Sequence, residues 1–293
     1  MSQHLPDTTS VRRAFDRAAE RYDAHAVVQR EAEDRLLQQL QGADIRPERV
    51  LELGCGTGRA AHRLKRRWPR ARVLAVDLAP SMLARVRAGN GWLRKVDVLC
   101  ADACHLPLAE ASVDLVFSNL MLQWVEQPVQ VFAQLRRVMR PGGLLLMQTL
   151  GPATLEELRA SWHAVDDRPH VNPFVDVRHL GDALLGQGFQ QVVVHSERLT
   201  LEYRQLRDLL RDLKGVGASN RLPGRHRGLT GKVAFARMER AYEQRRRQGW
   251  LPATWELVSL RALAPDPEQP IRLAGYEEAR FPLERLRASL KKK

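Results

Sequence analysis

The fold of this chain is decided by one stretch, Val50-Leu51-Glu52-Leu53-Gly54-Cys55-Gly56-Thr57-Gly58. Its apolar first half predicts a buried strand, and its alternate glycines predict a tight turn, after which a helix begins at Arg59. Glycine lets the backbone pass close to a ligand, and the free N–H groups at a helix start favour a polar or anionic group. The stretch therefore predicts a strand, a turn and a helix around a ligand.

A second apolar run, Val73-Leu74-Ala75-Val76, ends at Asp77, 23 residues after Gly54. A carboxylate at the tip of the second strand, about 20 residues past the glycine turn, is placed to bind a ribose diol. Dinucleotide folds usually read Gly-x-Gly-x-x-Gly, whereas here the third glycine comes one residue early. A glycine turn that merely closes a βα unit is the structural alternative.

Strands are predicted at five places that alternate with helical or loop segments, which indicates an α/β fold with a doubly wound, mostly parallel sheet. The strands fall at 49–53, 73–77, 96–101, 113–118 and 143–149, and the segments between them at 57–67, 80–88 and 128–139. Ligands of such sheets bind at the carboxyl ends of the strands. Four of these ends carry polar or small residues, namely Glu52 and Gly54, Asp77, Asp102 and Ala103, and Asn119.

Segments on both sides of this core predict covering helices and a cap. Helices are expected at 11–41 before the sheet, and at 153–165 and 177–187 after it, with a polar loop at 166–174. Two basic helices, 203–213 and 232–248, lie between the predicted strands 191–200 and 254–263, so we expect them to form a cap over the cleft. The predicted units are N-terminal covering helices (1–45), an α/β core (46–200), a basic helical cap (201–250), a final core strand (251–264) and a C-terminal tail (265–293).

The charge of the chain is concentrated in the predicted cap. Lys and Arg number 47 against 34 Asp and Glu, a formal net charge of +13. Between Arg204 and Arg247 there are 13 basic and 4 acidic residues, a difference of 13 − 4 = +9. A field of that sign recruits acidic partners, either nucleic acid or an acidic protein. A solvated basic face without a partner is the alternative.

The remaining composition indicates a cytoplasmic protein without a membrane span. No apolar stretch approaches the roughly 18 residues that cross a bilayer, and the first ten residues are polar. The cysteines Cys55, Cys100 and Cys104 form no disulfide pattern. Cys100-x-x-x-Cys104-His105 lacks the spacing of a zinc site and has no second ligand pair, so we expect no metal.

The glycine pattern after an acidic residue, with Asp77 and Asp102 at the next two strand ends, resembles the class I S-adenosylmethionine-dependent methyltransferases. The resemblance implies that Asp77 binds the ribose diol, that Asp102 accepts from the adenine amino group and that Met82 packs against the adenine. Tyr22 and Gln29, seven residues apart on a covering helix, would bind the amino-acid end of the cofactor; a core tyrosine with a surface glutamine is the alternative. Further cofactor contacts are expected from Glu52, Gly54, Gly56, Gly58, Leu78, Ala103 and Asn119.

Four further stretches resemble the malonyl-acyl-carrier-protein O-methyltransferase family of biotin synthesis. They are residues 14–22 (AFDRAAERY), 118–124 (SNLMLQW), 162–174 (WHAVDDRPHVNPF) and 213–218 (LKGVGA). The resemblance spans residues 14 to about 263 and leaves 265–293 as an added tail. It implies that S-adenosylmethionine methylates the free carboxylate of malonyl-acyl-carrier protein, which gives the methyl ester that primes pimeloyl synthesis.

The family resemblance also implies roles for residues outside the cofactor site. Arg168 would orient the carboxylate, although a structural ion pair with Asp166 or Asp167 is equally compatible with the sequence. Tyr22, Trp124 and Trp162 would wall the methyl pocket. The expected partner is an acidic acyl carrier protein rather than nucleic acid, and it would be bound by Lys214, Arg207 and Arg211.

Two alternative functions stay open from the sequence. The first is an enzyme or assembly factor with a methyltransferase fold that acts on a protein side chain, because mitochondrial relatives share the Leu-Gln/His-Trp segment. The second is an RNA methyltransferase or nucleic-acid-binding module that uses the basic helices. Aromatics among the basic residues would favour RNA, but 204–247 contains only Phe235 and Tyr242.

Overall fold

A computed structural model describes residues 8–41, 45–218 and 231–266 and the backbone of 271–273 and 276–278. Most of the predicted tail and the loop 219–230 between the basic helices lie outside these residues. The helices are α1 (Thr8–Ala18), α2 (Tyr22–His25), α3 (Val27–Gln38), α4 (Arg59–Arg67), α5 (Pro80–Ala88), α6 (Pro128–Val138), α7 (Glu156–His163), α8 (Val177–Gly186), α9 (Leu206–Gly215) and α10 (Lys232–Glu243), with a 3₁₀ turn at Leu122–Trp124.

Seven strands form the main sheet, and two more form a separate hairpin. The sheet contains β1 (Arg49–Leu53), β2 (Arg72–Asp77), β3 (Asp97–Cys100), β4 (Val113–Asn119), β5 (Met139–Leu150), β6 (Gln190–Tyr203) and β7 (Leu251–Leu263), and the hairpin contains β8 (Ile271–Leu273) and β9 (Tyr276–Glu278).

The strand order of the sheet is β3-β2-β1-β4-β5-β7-β6. The first five strands in this order are parallel, and β7 runs antiparallel between β5 and β6. The order reverses between β1 and β4, and ligands of open α/β sheets bind at such a switch point. The structure confirms the predicted doubly wound, mostly parallel α/β fold and places the glycine turn after β1 at that point.

Helices cover both faces of the sheet because its central strands are apolar on both sides. Leu51 and Leu53 of β1 pack with Phe132 and Leu135 of α6 on one face. Val50 packs on the other face with α4 and α5 residues such as Leu64 and Leu83, and with Leu36 of α3. The ends of the buried strands are thereby held in fixed relative positions.

The N-terminal segment forms three helices rather than the one or two expected from its periodicity. Its breaks, at residues 19–21 and at Ala26, let each helix meet a different neighbour. Helix α1 contacts α5, and α2 contacts α9. Tertiary packing therefore overrides a pattern that a single longer helix would also satisfy.

Strand β5 begins before its predicted start at residue 143. Gly142, at φ +74°, donates its N–H to Ala264 O over 2.9 Å, and Ala264 donates to Gly143 O over 2.8 Å. The predicted turn at Arg140-Pro141-Gly142-Gly143 is therefore an irregular strand start whose partner is the chain after β7.

The predicted cap helices are confirmed as an insertion between β6 and β7. These two strands pair from Gln190 opposite Leu263 to Tyr203 opposite Leu251, and α9 and α10 lie in the connection between them. Helix α9 contacts α2, and α10 contacts α7. No helix in the described part of the chain combines the length and the apolar character needed to cross a membrane.

Candidate active site

A cavity of about 280 Å³ lies at the carboxyl ends of β1 to β4 and is called the strand-end cavity below. Its floor comes from the strand ends and its wall from the N-terminal helices. The residues that line it include Val11, Phe15, Tyr22, Leu53, Gly54, Gly56, Asp77, Leu78, Asp102, Ala103, Asn119, Leu120, Met121 and Trp124. The sheet thus brings together most of the residues that were predicted to bind the cofactor.

Two of the three turn glycines line this cavity. Gly54 adopts φ +73° and donates its N–H to Val76 O over 2.8 Å, which holds the turn against β2. A Cβ on Gly54 would run into the Met121 side chain. Gly58 does not line the cavity, because it is buried where a Cβ would come 2.7 Å from Val86. Its predicted cofactor contact is replaced by a packing role between α4 and α5.

Asp77 occupies the end of β2 as predicted. Its Oδ2 accepts from the Gly56 N–H over 2.9 Å, and its Oδ1 accepts from the Ala79 N–H over 2.8 Å. Each oxygen retains a lone pair, so the carboxylate can still accept two hydroxyl groups. Burial raises the pKa of Asp77 to about 6, although the backbone N–H groups oppose the shift.

Neighbouring side chains leave polar atoms without partners. Asn119 donates from Nδ2 to Gln29 O over 2.9 Å, while its Oδ1 is buried and meets no partner among the described residues. Glu52, Gln29 and Tyr22 line a smaller adjoining cavity of about 40 Å³. Glu52 Oε2 likewise meets no partner in the described chain, and burial raises the pKa of Glu52 well above its usual value.

Met82 is not where the sequence placed it. Its side chain has no exposed surface and packs with Ala19 and Ala79, with Phe15 and Tyr22 against them. Met82 therefore supports the wall of the strand-end cavity from behind, and its predicted adenine contact is not supported. The period of α5 directs Met82 toward α1 because these two helices are in contact.

S-adenosylmethionine fits the residues that surround the strand-end cavity. A carboxylate with acceptor capacity to spare suits a ribose diol, and the unpartnered oxygens of Asn119 and Glu52 suit the ammonium end. The walls between these groups are apolar, which is typical of pockets for small cofactors. This match rests on the Asp77 carboxylate and on the two unpartnered oxygens, Asn119 Oδ1 and Glu52 Oε2.

A second cavity of about 90 Å³ lies beneath the cap and is called the cap-side cavity. Leucine, valine and aromatic side chains make up most of its lining: Phe15, Tyr22, Gln29, Leu120, Gln123, Trp124, Leu150, Leu155, Leu158, His170, Val171, Asn172, Phe174, Leu213, Val216, Ala218 and Trp255. Four of these residues, Phe15, Tyr22, Leu120 and Trp124, also line the strand-end cavity. The two cavities therefore meet at those side chains.

Three of the four side chains at the junction are aromatic, and the hydroxyl group of Tyr22 is neutral. The rings of Phe15 and Trp124 meet edge to face with centroids 5.3 Å apart. Burial, and then the charge of Asp77, raise the pKa of Tyr22 above its usual value, so its phenol stays protonated at neutral pH. Tyr22 and Trp124 line both cavities, and their place in the wall of a methyl pocket stays a prediction.

His170 reaches the cap-side cavity in place of the predicted Arg168. Its Nε2 lies 2.8 Å from Asp166 Oδ1, and its ring stacks on Trp162 with centroids 3.8 Å apart at 5°. Arg168 donates its backbone N–H to the same Asp166 oxygen over 3.0 Å, and its side chain is exposed. The carboxylate-orienting role predicted for Arg168 is therefore not supported by its position.

Trp162 lines neither cavity, because the His170 ring stands between it and the cap-side space. The indole is half-buried against the cluster that supports the cap. Its predicted place in the wall of the methyl pocket stays a prediction that its position does not support. The sequence could not predict this arrangement, because the loop 166–174 has neither a helical nor a strand period.

Helix α9 presents its predicted basic residues to solvent. Arg207, Arg211 and Lys214 are exposed and recur at helical spacing, so they form a basic stripe on one face. Arg211 also pairs with Asp208 over 2.7 Å. The apolar end of the same helix connects this stripe to the cap-side cavity through Leu213.

Two glycines let the end of α9 touch the N-terminal helices. A Cβ on Gly215 would run into the His25 ring, and Gly217 at φ +78° packs against Ala14 O. His25 Nδ1 lies 2.9 Å from Asp212 Oδ1 across the same contact. The stretch 213–218 thus joins the cap to the helices that wall both cavities.

Sequence reasoning missed several lining residues. Phe15 and His170 stand inside stretches that carried the family resemblance, but nothing in their spacing marked them as lining residues. Trp255 lies on β7, whose place between β5 and β6 the pattern did not reveal. Among the described residues, no group of three or more His, Cys, Asp or Glu is arranged to hold a metal ion.

Comparison with known sequences gives closely related enzymes. A family model described as a methyltransferase domain matches residues 51–147. The malonyl-[acyl-carrier protein] O-methyltransferase of Halorhodospira halophila is 49% identical over 254 residues, which cover 86% of this chain and 86% of that protein. Proteins of the same name from Gallionella capsiferriformans and Coxiella burnetii are 43% and 34% identical, covering 91% and 97% of this chain and 94% and 98% of theirs.

Solved structures share the fold at low identity. A putative methyltransferase from Bacillus halodurans superposes with a TM-score of 0.58 at 18% identity, covering 80% of this chain and 100% of that one. A Haemonchus contortus phosphoethanolamine N-methyltransferase 2 in complex with S-adenosyl-L-methionine gives 0.53 at 17% identity, covering 86% of this chain and 57% of that one. These similarities show the fold alone.

Proposed function

The chain belongs to the malonyl-[acyl-carrier protein] O-methyltransferase family, and on this premise we propose how its two cavities serve methyl transfer. The strand-end cavity takes S-adenosylmethionine, and the cap-side cavity takes the malonyl end of an acyl carrier protein. The product is the methyl ester of the malonyl group. The observation that carries the proposal is the junction, where Phe15, Tyr22, Leu120 and Trp124 line both cavities.

The strand ends supply the cofactor contacts in this proposal. Asp77 accepts the two ribose hydroxyls, and Asp102 accepts from the adenine amino group. Asn119, Glu52 and Gln29 surround the amino-acid end from the adjoining cavity. When bound, the cofactor supplies an electrophilic methyl group on a sulfonium. Tyr22 lines all three cavities and so stands nearest to both reactants.

The acceptor needs positioning rather than activation by a base. A malonyl carboxylate is ionised at neutral pH, so no proton has to be removed before it attacks. A carboxylate and a sulfonium neutralise each other as the ester forms, so a water-poor pocket favours the reaction. The apolar and aromatic junction provides such surroundings, and orientation alone can contribute about 7–11 kcal/mol.

The cap suits an acidic carrier protein as the partner that delivers the acyl group. The basic stripe of Arg207, Arg211 and Lys214 is exposed, and its helix leads to the cap-side cavity. Nucleic acid fits less well, because single strands stack on exposed aromatics. Phe235 is half-buried, and Tyr242 is fully buried with its hydroxyl bound to Pro252 O.

Mass spectrometry of a carrier protein tests the proposal. The purified enzyme, S-adenosylmethionine and malonyl-carrier protein are incubated, and we expect the acyl group to gain the mass of one methylene. Acetyl-carrier protein, which has no free carboxylate, is the matched control and should stay unchanged. Methylation of the acetyl form, or of the carrier polypeptide itself, would contradict the proposal and favour a protein side chain as the acceptor.

A further inference from the structure

Trp255 is a buried polar group that the proposed chemistry has not yet used. Its side chain is 5% exposed and lines the cap-side cavity, but not the strand-end cavity. Its Nε1–H is buried and meets no acceptor among the described residues. Most buried indole N–H groups are paired, and an unpaired buried donor costs about 1–3 kcal/mol. A phenylalanine would fill an apolar wall without that cost.

The strand that carries Trp255 fixes its position. Leu251, Ala253, Trp255 and Leu257 alternate along β7 and pack in one cluster with α9, α10 and the start of α7. The intervening Thr254 lies on the opposite face, where its N–H and hydroxyl both bind Glu157. The indole is therefore held by ordered neighbours on a strand, which is the kind of support a precise binding group needs.

In this proposal, the two cavities determine where each part of the acyl group lies. Its carboxylate must reach the junction at Tyr22 and Trp124, because the methyl group arrives from the strand-end side. The carrier end must leave past Leu213 and Ala218, beside the basic stripe of α9. Trp255 lines the cap-side cavity and not the strand-end cavity, so we expect it to face the part of the acyl group behind the carboxylate. In a malonyl thioester that part carries the thioester carbonyl.

We infer that the Trp255 Nε1–H donates a hydrogen bond to the thioester carbonyl oxygen of the acyl substrate in the cap-side cavity. This inference rests on the proposed function and names a positioning contact within it. The indole N–H has no acceptor in the described part of the chain, so a substrate oxygen in the cap-side cavity would supply the missing partner. Asn172 lines the same cavity, and its buried Oδ1 is also unpartnered within the described chain.

The contact would select for acyl length as well as for orientation. With the carboxylate at the junction and the carbonyl at Trp255, the distance between these groups must match the single methylene of a malonyl unit. A longer diacid cannot satisfy both ends at once, so a succinyl thioester should be a poor substrate.

A cycle of enzyme and substrate changes tests the inference. Trp255→Phe removes the N–H and keeps an aromatic ring, while the 2-carboxyethyl thioether of the carrier replaces the thioester carbonyl by a methylene and keeps the carboxylate. We expect Trp255→Phe to lower kcat/KM for the malonyl thioester about tenfold, the worth of one buried hydrogen bond. Wild type and Trp255→Phe should use the thioether equally well, because the thioether has no carbonyl oxygen to accept the hydrogen bond.

Controls separate this contact from packing and from the proposed function. Trp92→Phe changes an indole that is 88% exposed and should leave both substrates unaffected. A loss for Trp255→Phe that is equal on thioester and thioether, or no loss on either, would overturn the inference while the proposed function stands. If wild type fails to methylate the malonyl carrier, both are overturned.

A second measurement tests the inference on the wild-type protein in case Trp255→Phe does not fold. In wild type labelled at its six tryptophans, the Trp255 Nε1–H resonance should move downfield when malonyl-pantetheine is added. The thioether analogue should leave that resonance at its position in the free protein. Trp255→Tyr can serve for the assignment if Trp255→Phe is insoluble. An unmoved Trp255 resonance at saturating malonyl-pantetheine would overturn the inference.

Discussion

Burial of Asp77 and its proposed binding of the ribose shift the pKa of its carboxyl group in opposite directions. Burial raises its pKa to about 6 from an ordinary value of 3.8. In the free protein, the free energy of unfolding therefore falls as the pH rises from 3.8 to about 6 and Asp77 ionises. Two ribose hydroxyls that donate to the carboxylate favour the ionised form instead. Cofactor affinity should therefore be constant above about pH 6 and fall as pH is lowered through it.

Asp77→Ala should weaken S-adenosylmethionine binding about tenfold or more at pH 8, since hydrogen bonds to a charged acceptor are the stronger kind. The variant should also lose the fall in affinity between pH 7 and pH 5 that wild type shows. Calorimetric titration at several pH values measures both. Asp97→Ala changes an exposed carboxylate at the start of β3 and serves as the control. Unchanged affinity in Asp77→Ala would reject the ribose assignment.

His170 and Arg168 can be separated by substitution. His170 forms a wall of the cap-side cavity, whereas the Arg168 side chain is exposed. We expect His170→Ala to lower kcat/KM for malonyl-carrier protein about tenfold and Arg168→Ala to change it less than about threefold. Both variants should bind the cofactor as wild type does. A larger loss in Arg168→Ala would restore Arg168 as the carboxylate-orienting residue.

At the scale of elements, α9 is held to the N-terminal helices by a contact that tolerates no side chain at Gly215. A methyl group there would meet the His25 ring, which is itself paired with Asp212. We expect Gly215→Ala to lower the free energy of unfolding by about 1–3 kcal/mol through overpacking. Gly231→Ala is the matched control, because no described residue comes within 4 Å of a Cβ placed there. Thermal unfolding that is equal in both variants would show that α9 adapts without cost.

The sequence predicted those elements whose pattern is local. The apolar strands, the glycine turn and the acids at the strand ends all follow from residues near one another in the chain, and Asp77, Asp102 and Asn119 meet as expected. Met82 and Trp162 line neither cavity, and the sequence could not show this because their neighbours, α1 and the His170 ring, come from distant or aperiodic segments. Side-chain positions in a loop without a period depend on tertiary contacts that no local pattern encodes.

At the scale of the whole molecule, the basic stripe of α9 lies beside the cavity that we propose for the acyl group. The basic stripe of α9 should attract an acidic carrier over several ångströms and weaken with salt. We expect the double variant Arg207→Glu and Lys214→Glu to raise KM for malonyl-carrier protein about tenfold and to leave malonyl-pantetheine unaffected. Steady-state kinetics at low and high salt measure this difference.

A second basic surface provides the control for charge alone. Arg66 and Arg70 are exposed at and just beyond the end of α4, outside the cap. Reversal of both changes the net charge of the protein by the same amount as the α9 variant. If this control raises KM for the carrier as much, recruitment depends on total charge and not on a docking site.

The shared walls of the two cavities have a kinetic consequence. Phe15 and Tyr22 belong to the segment that covers both spaces, and α2, which begins at Tyr22, is itself held by α9 through His25. We therefore expect the spent cofactor and the finished ester to leave past this one segment. Turnover should then be governed by the frequency of its opening, so a burst of ester should precede the steady state and added viscogen should slow only the later phase.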